Sequence, residues 1–342
     1  GKEDYAFERA VAFNLTDQKP VMLMKDNRSW LDTNNLVAIA PDETDKIMFS
    51  IVSRVSDNEP GRVRTKNGDR ATYSVMKTDL TKGSSRQVVS DTRFVVGAVH
   101  APDGAMIAEH RYREVSRGNH EVSITKGKKV LFERQNLSFN PLTIWGLDSS
   151  GENLVLFIDE GEPYGLHRMS LDDGTLTRIE LGHEGGTVAP VIDSRSLQVV
   201  GFELPGDKTI QIFEDPALKS QLEAIGAAMN GAAVTIESWT DDRSQSVIAV
   251  EHIGQPIDYY LFEPDVGALS PVGNKAPHLD ARPLGQIEGI SYHARDGLLI
   301  HGYLTLPPGK ARSDPAEFSW FHRIRYGISG CRLWRIRRQD GH

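Results

Sequence analysis

Apolar residues in this chain fall in short runs separated by tight-turn sequences. Five segments share one pattern, an apolar run, an aspartate-centred turn and a second apolar run: NLVAIAPDETDKIMFSI around Asp42, FVVGAVHAPDGAMIAEH around Asp103, LTIWGLDSSGENLVLFID around Asp148, TVAPVIDSRSLQVVGFE around Asp193 and AVTIESWTDDRSQSVIAVEH around Asp241. The runs are too short and too rich in β-branched residues for helices, so they predict strands. Pro-Asp-Gly and Asp-Ser-Ser-Gly are turn sequences, in which proline presets φ, aspartate caps its own turn and glycine accepts positive φ. Each segment therefore predicts a hairpin.

After most of these comes a second hairpin with a polar tip: SVMKTDLTKGSSRQVV, EVSITKGKKVLFE, LHRMSLDDGTLTRIEL and DYYLFEPDVGALSPV. The aspartates stand 61, 45, 45 and 48 residues apart, and the polar insertion SDNEPGRVRTKNGDR fills the long first gap. Two hairpins in about 45 residues give four strands per unit, the makeup of a propeller blade. The predicted fold class is all-β, a β-propeller of four-stranded blades, about six to seven in number with the first incomplete. The opening stretch AFERAVAFNLTDQKPVMLM resembles the second hairpin of a blade whose first hairpin is not present. One stretch, EDPALKSQLEAIGAAMNG, predicts a short helical insertion near 216–229. Asp215 is its N-cap and Pro216 its first helical residue; Leu218, Leu222, Ile225 and Met229 share a face, and Asn230-Gly231 supplies the stop. It takes the place of the second hairpin in the fifth unit.

The 342 residues, 39% hydrophobic and 25% charged, have the composition of a soluble globular protein. No run approaches the roughly 18 apolar residues of a membrane helix, so no membrane span is expected. The start, GKEDYAFERAVAF, lacks the features of a secretory signal and leaves a cytoplasmic or periplasmic location open. With Cys331 as the single cysteine, no internal disulfide can form. The net charge of −8 is uneven: residues 311–342 carry seven arginines against Asp314, Glu317 and Asp340, which leaves residues 1–310 at −12. A body that acidic does not hold a phosphate backbone, so no nucleic-acid partner is expected.

Residues 290–310, ISYHARDGLLIHGYLTLPPGK, carry the most specific signal. Asp296-Gly297 suits a two-residue hairpin turn, and Pro307 and Pro308 end the second strand because they cannot donate to a ladder. Together with the blade pattern, this stretch resembles the prolyl oligopeptidase family of serine peptidases, particularly its acylaminoacyl-peptidase and dipeptidyl-peptidase-like members, over roughly residues 1–310. The resemblance implies 1–285 as β-propeller and 286–310 as linker strands leading toward an α/β-hydrolase domain. It also implies a propeller that admits short peptide substrates and excludes folded proteins, with chemistry supplied by a Ser-His-Asp triad and an oxyanion hole beyond the Pro-Pro-Gly.

Those elements are not found after Lys310. The tail reads ARSDPAEFSWFHRIRYGISGCRLWRIRRQDGH, with neither a His-Gly-Gly-Pro loop nor a Gly-x-Ser-x-Gly elbow. Gly327-Ile328-Ser329-Gly330-Cys331 lacks the second glycine at the required spacing, so Ser329 is not expected to be a nucleophile. Residues 311–342 are expected to be a non-native-looking or disordered tail from a frameshift or truncated reading, with the catalytic domain absent. The chain itself is expected to carry no catalytic, cofactor-binding or metal-binding residues and no cofactor.

Bland readings are preferred for the other candidates. The eleven histidines include no His-Glu-x-x-His motif, and His293 and His301 read as strand surface on two arms of a hairpin. The repeated aspartates lack calcium-loop spacing and read as turn residues. Arg111, Arg113 and Glu114 read as a solvated blade edge, and Trp145 and Trp239, in corresponding first-hairpin strands or turns, as core or inter-blade packing. Two other functions remain: a stand-alone propeller that binds a protein or peptide without chemistry, and a sugar hydrolase with paired inward carboxylates.

Overall fold

The computed structural model describes residues 10–24, 35–39, 43, 45–55, 70–101, 104–137, 139–159, 162–182, 188–206, 208–229, 232–252, 254–279 and 284–309. Asp42, Asp103, most of the 56–70 insertion, Asn230-Gly231 and the tail with Ser329 and Cys331 lie outside the described residues.

Antiparallel pairing between strands adjacent in sequence builds the molecule. β1 (Val11–Phe13) and β2 (Pro20–Met22) form a two-stranded hairpin. A four-stranded meander follows, β3 (Asn35–Ile39), β4 (Lys46–Val55), β5 (Arg70–Asp79) and β6 (Ser85–Arg93). The next is β7 (Val95–His100), β8 (Met106–Ser116), β9 (Asn119–Lys126) and β10 (Lys129–Leu137). The third is β11 (Leu142–Leu147), β12 (Asn153–Ile158), β13 (Gly165–Ser170) and β14 (Leu176–Arg178). A three-stranded sheet, β15 (Ala189–Ile192), β16 (Val199–Leu204) and β17 (Ile210–Phe213), precedes α1 (Pro216–Ala228). The last four-stranded sheet is β18 (Ala233–Trp239), β19 (Ser246–Glu251), β20 (Asp258–Glu263) and β21 (Ala268–Asn274). The hairpin β22 (Gln286–His293) and β23 (Leu299–Leu306) closes the described chain.

Every first and second hairpin expected from the sequence is therefore present. The chain is mostly strand, in four-stranded antiparallel sheets with one helix, as an all-β propeller requires. It groups into two compact units, Gly1–Glu180 with Ile192–Val199, and Leu181–Val191 with Val200–His342. In the first unit, Leu154, Leu156, Ile158 and Met169 of the third sheet pack on Ala108, Val122, Ile124 and Leu131 of the second. Burying each such large side chain contributes about 2 kcal/mol.

The same irregularity recurs in the first strand of four sheets. Register slips by one residue between Leu36 and Ala38, Val95 and Gly97, Ile144 and Gly146, and Ile236 and Ser238. A bulge there increases local twist. It places Trp145 at the bulge of β11 and Glu237 at that of β18; Trp145 and Trp239 both lie in first-hairpin strands, as the sequence suggested, at different places along them.

The first-hairpin turns share a closing bond from residue i to residue i+5: the amides of Asp148, Asp193 and Thr240 donate to the carbonyls of Asn153, Gln198 and Gln245 at 2.9 Å. Asp148 and Asp193 are buried and accept from their own turns, Asp148 from Ser150 Oγ at 2.6 Å and Asp193 from Ser196 N at 2.9 Å. In the last sheet that place belongs to Thr240, not to Asp241. The Thr240 hydroxyl instead donates to Asp242 at 2.7 Å, and this bond with those from Ser244 draws the Asp242 carboxyl down to about 2.

The second-hairpin tips carry a different device. Asp79, Ser170 and Glu263 each precede a four-residue tip that ends in a glycine at positive φ, Gly83 at 70°, Gly174 at 82° and Gly267 at 64°. A Cβ on Gly83 would lie 2.1 Å from the Met22 carbonyl oxygen, and one on Gly174 2.2 Å from that of Leu131. Met22 ends β2 and Leu131 lies in β10, so each tip presses on the outermost strand of the preceding hairpin or sheet. A Cβ on Gly267 would meet nothing within 4 Å.

The helix is where the sequence put it, with Asp215 accepting from the amides of Ala217 and Leu218 and Pro216 at its start. It follows β17, so it stands in for one strand and not for a whole second hairpin. Leu218 and Ile225 are buried against Phe213, Val234, Ile236 and Ile248. Arg243, held at φ 60°, binds Asp215 Oδ2 at 3.1 Å and lies 5.4 Å over the Trp239 ring, contacts that offset the roughly 1–2 kcal/mol of that backbone conformation. Asp215→Ala removes the cap and one partner of Arg243 together. It should cost about 2 kcal/mol, read as a lower urea midpoint with loss of helical ellipticity at 222 nm.

Candidate functional site

The hairpin β22–β23 holds most of the stretch singled out in the sequence. Its strands pair in perfect alternation from Gln286↔Leu306 to His293↔Leu299. That register puts Leu304, Leu306, Ile290, Ile300, Tyr292 and Leu298 on one face, with Gln286 and Glu288 beside Leu306 and Leu304. Leu304 and Leu306 are 6% and 5% exposed, yet Tyr292 and Leu298 toward the tip are 46% and 56% exposed. One apolar stripe is thus covered at its base and open at its end. The turn differs from the two-residue form expected: Ala294 N donates to Leu298 O and Gly297 N to Ala294 O, both at 2.9 Å, with Gly297 at φ 83°. This is a three-residue loop closed by a glycine bulge, and Asp296 Oδ1 steadies it by accepting from Leu298 N at 3.1 Å. His293 is exposed, on the opposite face from Tyr292.

The mixed-charge cluster on β8 is satisfied within its own sheet. Arg111 Nη1 donates to Glu109 at 2.8 Å, Arg113 makes a two-pronged pair with Glu121 at 3.0 and 3.1 Å, and Glu114 accepts from Gly118 N at 2.9 Å. β8 is an inner strand of its sheet, paired to both β7 and β9. The tryptophans pack as expected, Trp145 stacked 6.4 Å from Phe157 and Trp239 edge-on 6.0 Å from Phe213. A groove of about 780 Å³ runs between the tips of the second and third sheets, lined by Met106, Ile107, Lys126 and Asn153 among others. Its polar groups already serve the fold, since Lys126 donates to Leu171 O at 3.3 Å and Asn153 Nδ2 to Asp148 at 2.9 Å.

The perturbed histidines are structural. His100 Nδ1 donates to Gly104 O at 3.0 Å, which leaves Nε2 to accept from the Tyr73 hydroxyl at 2.6 Å across two sheets. Burial pushes the Tyr73 phenol up to about 12 and draws His100 down, so the pair is neutral. His110 is 7% exposed, its Nε2 has no hydrogen-bond partner among the described residues, and desolvation draws it down to about 4 against the pull of a bond with Asn140. Sequence reading missed all three, because a histidine one strand away from a tyrosine of another hairpin leaves no local trace. Among the described residues, no group of three or more His, Cys, Asp or Glu side chains stands close enough to hold a metal ion.

Among solved structures, the chain is similar to a puromycin-hydrolyzing peptidase of Mycobacterium tuberculosis, 13% identical, covering 89% of this chain and 48% of that one with a TM-score of 0.47. It is similar to prolyl oligopeptidase B of Galerina marginata, 12% identical over 84% and 39% of the two chains with a TM-score of 0.43. A post-proline cleaving enzyme of Rickettsia typhi is 10% identical over 86% and 53%, with a TM-score of 0.41. These neighbours are prolyl oligopeptidase family members. This chain spans about half the length, or less, of each of them. No family model matches it, and no curated protein matches it. The four-stranded antiparallel sheets stand on the strand pairings themselves.

Proposed function

We propose that this chain is the substrate-gating propeller of a serine peptidase of the prolyl oligopeptidase type, acting on short peptides of the acylaminoacyl or dipeptidyl kind. In this reading residues 1–285 are the propeller, 286–310 lead into an α/β-hydrolase domain that carries the triad, and the chain alone does not hydrolyse peptides. The observation that carries it is the half-covered stripe of β22–β23, which continues from buried Leu304 and Leu306 to open Tyr292 and Leu298 and so calls for an apolar body beside it. The sequence signature at 290–310 says which body that is. The test is to read the encoding DNA beyond codon 310 in all three frames. A downstream frame with His-Gly-Gly-Pro and Gly-x-Ser-x-Gly is expected, and stop codons in every frame would overturn the reading. In parallel, the purified chain should leave aminoacyl and dipeptidyl p-nitroanilides intact; turnover abolished by a serine-directed fluorophosphonate would contradict its inactivity.

A second reading, a stand-alone propeller that binds a protein or peptide without chemistry, is favoured by one feature, the edge of β17 to which no strand is paired among the described residues.

A further inference from the structure

We propose that the seam between the first and second four-stranded sheets is an acid-opened latch: the bond between the Tyr73 hydroxyl and His100 holds β5 to β7 while the imidazole is neutral, and the seam parts when the imidazole takes up a proton. The inference does not depend on the peptidase reading.

The neighbouring seams are clamped by their tips, and this one is not. The tip of the first sheet presses on β2 through Gly83, and that of the third on β10 through Gly174. Between them, β9 and β10 turn on two residues, from Lys126 to Lys129, and a Cβ on Gly127 would meet nothing within 4 Å. The apolar filling is also slight. Its buried members among the described residues are Met48, Tyr73, Val75 and Val95, whereas the next seam buries Ala108, Val122, Ile124 and Leu131 against Leu154, Leu156, Ile158 and Met169.

A buried hydrogen bond crosses this lightly packed seam. Tyr73 and His100 are 1% and 9% exposed, come from different sheets, and lie nearly parallel with ring centroids 5.9 Å apart. His100 Nδ1 is committed to Gly104 O, so Nε2 is the acceptor of the phenol. A proton on Nε2 turns that acceptor into a donor. The phenol hydrogen must then turn away, toward the Ser50 side chain that also bonds it, and a charge is left in the seam.

The charged groups on the facing surfaces are already engaged. The register places Lys46, Lys77 and Asp79 on β4 and β5, Arg86 on β6, and Glu109, Arg111 and Arg113 on β8. Glu43 pairs with both lysines, Glu109 with Arg111 and Glu121 with Arg113, while Asp79 accepts from the amides of Thr81 and Lys82 in its own turn. Burial draws the imidazole below its usual 6.5, against the pull of the Gly104 bond. The parted seam, where water reaches His100, binds the proton more readily than the closed one. The latch is therefore shut above pH 6.5 and opens as pH falls beneath it, with the open population growing by up to about tenfold per pH unit.

Hydroxyl-radical footprinting of the full chain at pH 7.5 and 5.5, read by mass spectrometry, tests this. Oxidation of Met48 and Tyr73 should rise by about three- to tenfold on acidification, while Met169, buried in the next seam, stays level. His100→Gln keeps an acceptor for the phenol but does not titrate, and should abolish the rise; His110→Gln should keep it. In the unaltered protein, the midpoint of Met48 oxidation should coincide with the titration of His100, followed by deuterium exchange at its Cε1. A level response at Met48, an equal rise at Met169, a rise that survives in His100→Gln or is lost in His110→Gln, or midpoints that do not coincide would each overturn the proposal.

Discussion

Gly174→Ala lowers the free energy of unfolding by about 3 kcal/mol, while Gly267→Ala lowers it by only about 1 kcal/mol. Both glycines occupy the last position of a four-residue tip and both hold positive φ, 82° and 64°, so alanine meets the same backbone penalty of about 1 kcal/mol at each. The difference lies in what the new methyl group meets. At Gly174 it would stand 2.2 Å from the Leu131 carbonyl oxygen and 2.9 Å from the carbonyl carbon. Backbone cannot swing aside as a side chain can, so the two sheets must part there, and overpacking of this kind costs about 2 kcal/mol more. At Gly267 the methyl group enters open space. Gly83→Ala, against Met22, should resemble Gly174→Ala. Chemical denaturation of the three variants beside the parent checks this; equal losses at Gly174 and Gly267 would mean that the tip contact carries no energy.

Acid should destabilise the protein before its carboxylates titrate. His110 is drawn from 6.5 down to about 4, chiefly by desolvation in its buried place between strands. The unfolded chain therefore binds a proton that the folded chain refuses between these two values. Stability is complete above pH 6.5, falls as pH drops below it, and levels off near pH 4, with about 3 kcal/mol lost across the window. His100, also drawn down by burial, adds to the loss with the same sign. The urea midpoint measured from pH 7 to pH 4.5 should fall steeply for the parent and much less for His110→Gln, the residual slope belonging to His100. A parent midpoint that stays level from pH 6.5 to 4.5 would show that His110 takes up its proton without unfolding cost.

What could be read in the sequence was what is decided locally. Proline, aspartate and glycine in the turns state their backbone geometry within four residues, and the N-cap at Asp215 with Pro216 does the same for the helix. Thr240-Asp241-Asp242 shows the limit of such reading, because three adjacent side chains can cap a turn and only the strand register selects Thr240. β17 was hidden for another reason: four residues, Ile-Gln-Ile-Phe, give too short an alternation to separate a strand from the approach to a helix. Gln211, whose side chain both accepts from Ile236 N at 2.7 Å and donates to Ile236 O at 3.3 Å, carries no mark of that role in the sequence. The contacts that position Gly83, Gly174 and His100 run between sheets, and hydrophobic periodicity carries no information about a neighbour in another sheet. The same holds for the stripe on β22–β23, whose alternation was legible but whose half-covered state was not.

Two of the tips, at Gly83 and Gly174, lean backward onto strands that were translated earlier. During synthesis the strand bearing Leu131 therefore leaves the ribosome before the loop that will cover it, and waits for about 45 further residues, or about 2–9 s at ordinary elongation rates. At Met22 and Leu131 alike, an outer strand stays bare until the loop that covers it has been made.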